Sequence, residues 1–163
     1  MDTREQTERG LRIINYDPAY RKDFIELNEH WVRKHFEMEN TDRRLLHDLE
    51  RTILEPGGDI VFVLRGDECV GACALVNEGG DLFELVKMAV RESERGRGLG
   101  NILMEATLDR ARELGATRVY LRSNTKLEAA INLYRKYGFT TVRLGPHEDY
   151  ARADIEMAID LTD

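Results

Sequence analysis

A chain of 163 residues, 42% of them hydrophobic, is long enough to bury about two thirds of its unfolded surface, so one domain is the expectation. Its 31 acidic against 24 basic residues leave a net charge of −7, which argues against the basic footprint that binding to nucleic acid needs. Its apolar runs fall far short of the ~20 residues that cross a bilayer, and the polar opening Met1-Asp2-Thr3-Arg4-Glu5 has no apolar signal core, so no membrane association and a cytoplasmic location are expected.

Residues 1–10 are polar and expected to be disordered, with a single domain over 11–163. Residues 11–16 read as a strand. Asp17-Pro18 then opens a helix, the aspartate accepting from orphan amides and the proline sitting where its missing N–H costs nothing. Tyr20, Phe24, Leu27 and Trp31 fall on one face of it. A second helix is expected over 41–54, with Leu45, Leu46, Leu49 and Ile53 as its stripe and Glu55-Pro56-Gly57-Gly58 as its stop. Three apolar segments follow, 59–64, 68–76 and 82–90, separated by Arg65-Gly66-Asp67 and Glu78-Gly79-Gly80-Asp81, and they suggest an antiparallel meander. Cys69 and Cys73, the only cysteines, stand four apart in the second segment. That spacing places them on one face about 13 Å apart, too far for a disulfide. They read as packing residues of a reducing compartment.

A helix from Leu99 to near Gly115 and a strand over 118–122 come next. Thr125 with Glu128 three residues on reads as a capping box for another helix. Leu127, Ala130, Ile131, Tyr134 and Tyr137 form its inner face, and Gly138 suits its left-handed C′ position. Residues 139–144 are strand-like, and Ile155, Met157, Ile159 and Leu161 alternate with polar or small residues as in a half-buried strand.

Between the third strand of the meander and the helix at Leu99 lies Glu94-Arg95-Gly96-Arg97-Gly98-Leu99-Gly100-Asn101. A strand, a glycine-rich turn and a helix start aim several backbone N–H groups at one point, which makes an anion site; the plainer reading is glycines that only punctuate a turn. A Walker loop would need lysine and a hydroxyl where Asn101-Ile102 stands. A dinucleotide fingerprint would need a different glycine spacing and a parallel sheet. The spacing that remains is Q/R-x-x-G-x-G/A, carried by Arg95, Gly98 and Gly100. A second pattern, N-x4-A-x3-L/I-Y-x3-G-F, is carried by Asn124, Ala129, Leu133, Tyr134, Gly138 and Phe139.

With Lys87-Met88-Ala89-Val90 ahead of the glycine segment, the chain resembles the GNAT superfamily of acetyl-CoA-dependent N-acetyltransferases, over about a third of its length. The resemblance implies an α/β (α+β) fold: a mixed, mainly antiparallel sheet of six to seven strands with splayed central strands, flanked by about four helices. It implies acetyl-CoA as cosubstrate, held by Met88, Ala89, Val90, Arg95, Gly96, Arg97, Gly98, Leu99, Gly100, Asn101, Asn124 and Asn132. Direct transfer to a primary amine of a small molecule or peptide is the implied activity. Glu84, in register with the glutamate of E-I/L-V-x-x-A-V/I in the histone-acetylating branch, is the implied general base. As a strand residue it is expected to share a face with Val86, Met88 and Val90, opposite a core face of Phe83, Leu85 and Ala89; the plainer reading is a solvated strand acid. The Met88 N–H is the implied oxyanion donor, and Tyr134 the implied general acid, against a plain reading of Tyr134 as core. Asn124 reads as a helix cap, a contact to the pantetheine arm, or both.

The acceptor is expected between the first two helices and the last strands, where Trp31, His35, Phe36, His47, His147, Tyr150 and Arg152 are available. Arg152 reads either as a clamp for an acceptor carboxylate or as a surface ion pair. The four histidines are not spaced as metal ligands, so no metal is expected. The resemblance also suggests a dimer. A non-catalytic acyl-CoA-binding regulatory module is the alternative to an enzyme.

Overall fold

The computed structural model describes residues 3–6, 10–146 and 152–161. Among them are eight strands: β1 (Thr3–Gln6), β2 (Leu11–Ile14), β3 (Asp59–Arg65), β4 (Glu68–Gly79), β5 (Leu82–Val90), β6 (Arg118–Ser123), β7 (Thr140–Leu144) and β8 (Ile155–Asp160). They form one sheet in the order β1-β2-β3-β4-β5-β6-β8-β7. Every neighbouring pair is antiparallel except β5 and β6. The helices are α1 (Arg21–His35), α2 (Asn40–His47), α3 (Leu99–Glu113) and α4 (Glu128–Lys136). This is the mainly antiparallel α/β architecture that the motifs imply.

The sheet has a separate core on each face. Phe24, Leu27, Leu46, Leu49 and Ile53 pack with Ile60, Phe62 and Leu64 on the α1–α2 face. Leu99, Leu103, Met104 and Ile131 pack with Val61, Val63, Leu75 and Phe83 on the α3–α4 face. Strands buried on both sides read as continuous apolar runs, and β3 is buried from Asp59 to Leu64. At the sheet's far edge β7 is exposed along its whole length, with Leu144 68% accessible.

Several local expectations hold. Asp17 accepts from the Ala19 N–H at 2.9 Å ahead of the 3-10 turn Pro18–Tyr20. Gly138, at φ 104°, closes α4. Its N–H donates to the Arg135 carbonyl at 3.0 Å and the Phe139 N–H to the Tyr134 carbonyl at 3.1 Å, the two bonds of a Schellman end.

Others are corrected. Within the stretch expected to be disordered, Thr3–Gln6 pairs with Leu11–Ile14; a polar edge strand is held by its backbone ladder, which no hydrophobic pattern announces. The expected second helix breaks after His47, and a π-helical turn, Glu50–Leu54, completes it. Leu46, Leu49 and Ile53 are fully buried all the same, so the stripe identifies the inward side chains without registering the break. Thr125 does not cap α4: its N–H and Oγ1 both donate to the Asp154 carboxylate, each at 2.8 Å, and Leu127 stands at the N-cap without a side-chain bond. Cys69 and Cys73 lie on opposite faces. A bulge leaves Val70 unpaired between the Val63–Gly71 and Leu64–Cys69 partners, and one extra residue reverses the alternation. Both cysteines are buried and free; burial pushes each thiol up to about 12.

Candidate active site

Strands β5 and β6 pair only at Leu82–Arg118, Phe83–Val119 and Glu84–Tyr120. Beyond those pairs they part, and a cavity of about 460 Å³ occupies the gap. Its walls include Leu85, Val86, Lys87, Met88 and Val90 on one side and Leu121, Arg122 and Ser123 on the other.

The wall on β5 carries a second bulge. Ala74 pairs with Val86 and Ala72 with Ala89, so Lys87 and Met88 together oppose Cys73. Lys87 adopts φ 54°, the one positive φ outside glycine among the described residues. The bulge corrects the expected facing of the strand. Met88 and Val90 turn toward the α3–α4 core with Phe83 and Leu85, whereas Val86 and Ala89 belong to the α1–α2 core. Glu84 and Met88 therefore do not share a face, although both line the cavity.

The glycine segment also borders the cavity. Gly96 and Gly98 have φ of 75° and 79°, a left-handed backbone that glycine adopts without strain, and a Cβ at either would meet nothing within 4 Å. The first α-helical bond of α3 runs from the Ile102 N–H to the Gly98 carbonyl at 3.3 Å, so the N–H groups of Leu99, Gly100 and Asn101 precede the ladder and have no intrahelical acceptor. Gly96, Gly98, Leu99, Gly100 and Asn101 all border the cavity, as does Arg95. An open turn, with glycine at 96, 98 and 100, that leads orphan amides and the positive helix end into a cavity fits a diphosphate. Arg97 instead turns to Glu94 at 3.7 Å.

Glu94 holds this turn from beneath. It is 5% exposed, and Arg65, at the end of β3, donates to it from Nη2 at 2.6 Å and from Nε at 3.1 Å. Asn101 Oδ1 accepts from Lys136 Nζ at 2.7 Å and from the Tyr137 hydroxyl at 3.1 Å, which joins the start of α3 to the end of α4.

Glu84 is 5% exposed, so it is not a solvated strand acid. Arg122 Nε donates to its Oε2 at 2.8 Å and Nη2 to its Oε1 at 3.4 Å. Burial raises the carboxyl above the usual glutamate range, and Arg122 opposes that rise without cancelling it. Tyr134 lines the cavity and meets the Phe139 ring edge-on at 6.0 Å. Burial raises its phenol, so it stays protonated. Asn124 forms a turn with the Lys126 N–H at 2.9 Å, and its Nδ2 donates to the Arg152 carbonyl at 2.6 Å. Ala89 is buried and Asn132 exposed, and neither borders the cavity.

The same cavity is bordered by Trp31, Phe36 and Arg152. Phe36 has two cations over its ring, with Lys126 Nζ 4.2 Å and the Arg152 guanidinium 5.3 Å from its centre. His35 packs on Trp31 at 5.1 Å without bordering the cavity; burial, then Arg95, lowers its pKa. His47 pairs with Glu29 at 2.9 Å, away from the cavity. His147 and Tyr150 lie outside the described residues. Arg152 is not a surface pair: it donates from Nη1 at 2.7 Å to Asp42, which is fully buried and also takes Lys87 Nζ.

The sequence profile of the acetyltransferase (GNAT) family matches residues 21–139. Mycothiol acetyltransferase of Corynebacterium efficiens is 32% identical over 111 residues, 68% of this chain and 36% of that protein. The uncharacterized N-acetyltransferase YjgM of Escherichia coli is 34% identical over 109 residues, 65% of this chain and 62% of that protein. The chain thus spans less than two thirds of the length of both relatives. A GNAT-family acetyltransferase structure from Staphylococcus aureus superposes with a TM-score of 0.80 at 20% identity, over 93% of this chain and 99% of that one. The structure of yncA, a putative acetyltransferase from Salmonella typhimurium with its cofactor acetyl-CoA, gives 0.75 at 20% identity, over 94% and 95%. A family match across most of the chain, on a sheet that opens beside a glycine turn, means that this protein belongs to the GNAT acetyltransferase family.

Proposed function

We propose that the protein transfers an acetyl group from acetyl-CoA to a primary amine of a small molecule or peptide, within a complex that holds both substrates at once. The observation that carries this reading is that one cavity is bordered by the orphan-amide residues of α3, by Glu84 and Tyr134, and by Trp31 and Phe36. Acetyl-CoA brings the acyl group as a thioester. The amides of Leu99, Gly100 and Asn101 receive its diphosphate, with Arg95 at the mouth.

An amine titrates near 10 and is mostly an ammonium at neutral pH, so its proton must be removed before attack. Glu84 takes that proton, directly or through a water. Its burial favours accepting a proton, while Arg122 fixes the carboxylate in place. The Met88 N–H, at the bulge, stabilises the developing oxyanion. Tyr134, kept protonated, donates to the leaving thiolate. Arg152 and Phe36 border the acceptor.

A non-catalytic acyl-CoA-binding module draws on one observation: the Glu84 carboxylate is already engaged by Arg122. Turnover separates the two. In a screen of amine acceptors with thiol-release detection, Glu84→Gln should lower kcat by about 100-fold at neutral pH. Tyr134→Phe should lower kcat with little change in CoA affinity. Wild-type rates in both variants would end the assignment of roles, and CoA binding without turnover of any amine would favour the module.

A further inference from the structure

We propose that Asp42 is a positioning residue for the transfer step, holding through Lys87 the left-handed bulge that presents Met88 where β5 and β6 part. The proposal rests on the acetyl-transfer reading above and adds Asp42 and Lys87, to which that reading gives no role.

A residue with a side chain is disfavoured at positive φ and persists there only where its surroundings over-determine it. Lys87 is in that position, at φ 54°. Its side chain is 5% exposed and reaches Asp42, whose side chain is 0% exposed. Asp42 is itself fixed from two other directions: it accepts the Glu39 N–H at 2.9 Å, and both terminal nitrogens of Arg152 donate to its two oxygens. Burial opposes the charge on Asp42, but Lys87, the Glu39 N–H and Arg152 together hold its carboxyl below the usual range.

One buried carboxylate thus joins the first turn of α2, the bulge of β5 and the segment before β8. Lys87 and Arg152 border the cavity and Asp42 does not, so Asp42 acts on bound substrate only through them. A purely stabilising role accounts poorly for this arrangement. Buried ion pairs contribute little net stability over apolar packing, and the pair sits on the one non-glycine residue at positive φ among the described residues. With its ammonium turned to Asp42, Lys87 serves the backbone it belongs to.

The test compares Lys87→Gly, Lys87→Ala, Asp42→Asn and the double variant Asp42→Asn/Lys87→Gly, reading kcat, the Kd of CoA and Tm. Lys87→Ala should lower kcat about tenfold. Lys87→Gly, whose backbone takes positive φ freely, should stay about fivefold above the alanine variant, although glycine ordinarily weakens a strand. CoA affinity should remain within about twofold in Asp42→Asn, since Asp42 does not border the cavity. Asp42→Asn should lower kcat in the wild-type background and add little in the glycine background. Equal losses for glycine and alanine, or a full additional loss from Asp42→Asn in the glycine background, would overturn the proposal. Should Asp42→Asn not fold, the glycine–alanine comparison decides alone. Should the wild type transfer acetyl to no amine, that reading falls separately, and crystal structures of the variants decide the positioning: residue 87 keeps its left-handed φ in Lys87→Gly and loses it in Asp42→Asn, and an unchanged φ in Asp42→Asn sinks the proposal.

Discussion

Glu84 shows how one side chain takes its properties from two opposed influences. Burial favours its protonated form, Arg122 favours its ionised form, and burial prevails. Activity that needs the carboxylate should therefore rise with pH along a limb displaced above the ordinary glutamate range, near 4.3, and Glu84→Gln should abolish that limb in a pH profile of kcat/KM. Linkage sets the sign for stability. A raised folded pKa gives a contribution that is present below the unfolded value and lost as pH rises through the folded one. The wild type should thus lose stability relative to Glu84→Gln as pH rises above the ordinary glutamate range, as read by paired thermal melts. Glu84, Tyr134 and the glycines were legible in the sequence because each sits in a short local pattern. Asp42 was not: its partners Lys87 and Arg152 lie 45 and 110 positions away, and nothing local marks an aspartate in the first turn of a helix as the centre of a buried cluster. Glu94 was equally hidden, its partner Arg65 being 29 positions distant.

Among the elements, the turn before α3 is the proposed diphosphate site, and its backbone conformation can be tested apart from its charges. Gly98→Ala places a Cβ at φ 79° and should cost about 1–2 kcal/mol, with a lowered Tm and weaker CoA binding by calorimetry. Gly115→Ala, at φ 91° beyond the far end of α3, should lower Tm comparably and leave CoA affinity unchanged. Equal CoA affinity in both variants would remove the turn from the binding site. Element types were largely readable, since periodicity reports which side chains face inward. What periodicity cannot report is an extra residue within a strand. The bulges at Val70 and at Lys87–Met88 each reverse the alternation, and that is why Cys69 parted from Cys73 and Glu84 from Met88. Nor does it report the pairing of a polar segment such as β1.

For the molecule as a whole, the sheet is a common wall between two cores, and a cut into either should be felt globally. Phe62 is fully buried on the α1–α2 face, with the Tyr16 and Tyr20 rings 6.2 and 5.7 Å away. Phe62→Ala should cost about 3–5 kcal/mol by urea titration, a large part of the 5–15 kcal/mol typical of a domain. A loss below about 1 kcal/mol would mean that this face packs loosely. The parallel join of β5 to β6 has a different effect. Its three residue pairs are the whole ladder between a five-stranded leaf and a three-stranded one. The antiparallel strands on either side are paired along most of their length, so the join is where the sheet has the fewest backbone pairs. A molecule lodged in the opening touches both leaves at once and works as a brace, so that the same gap that admits a ligand is the place where the fold has most to gain from having one.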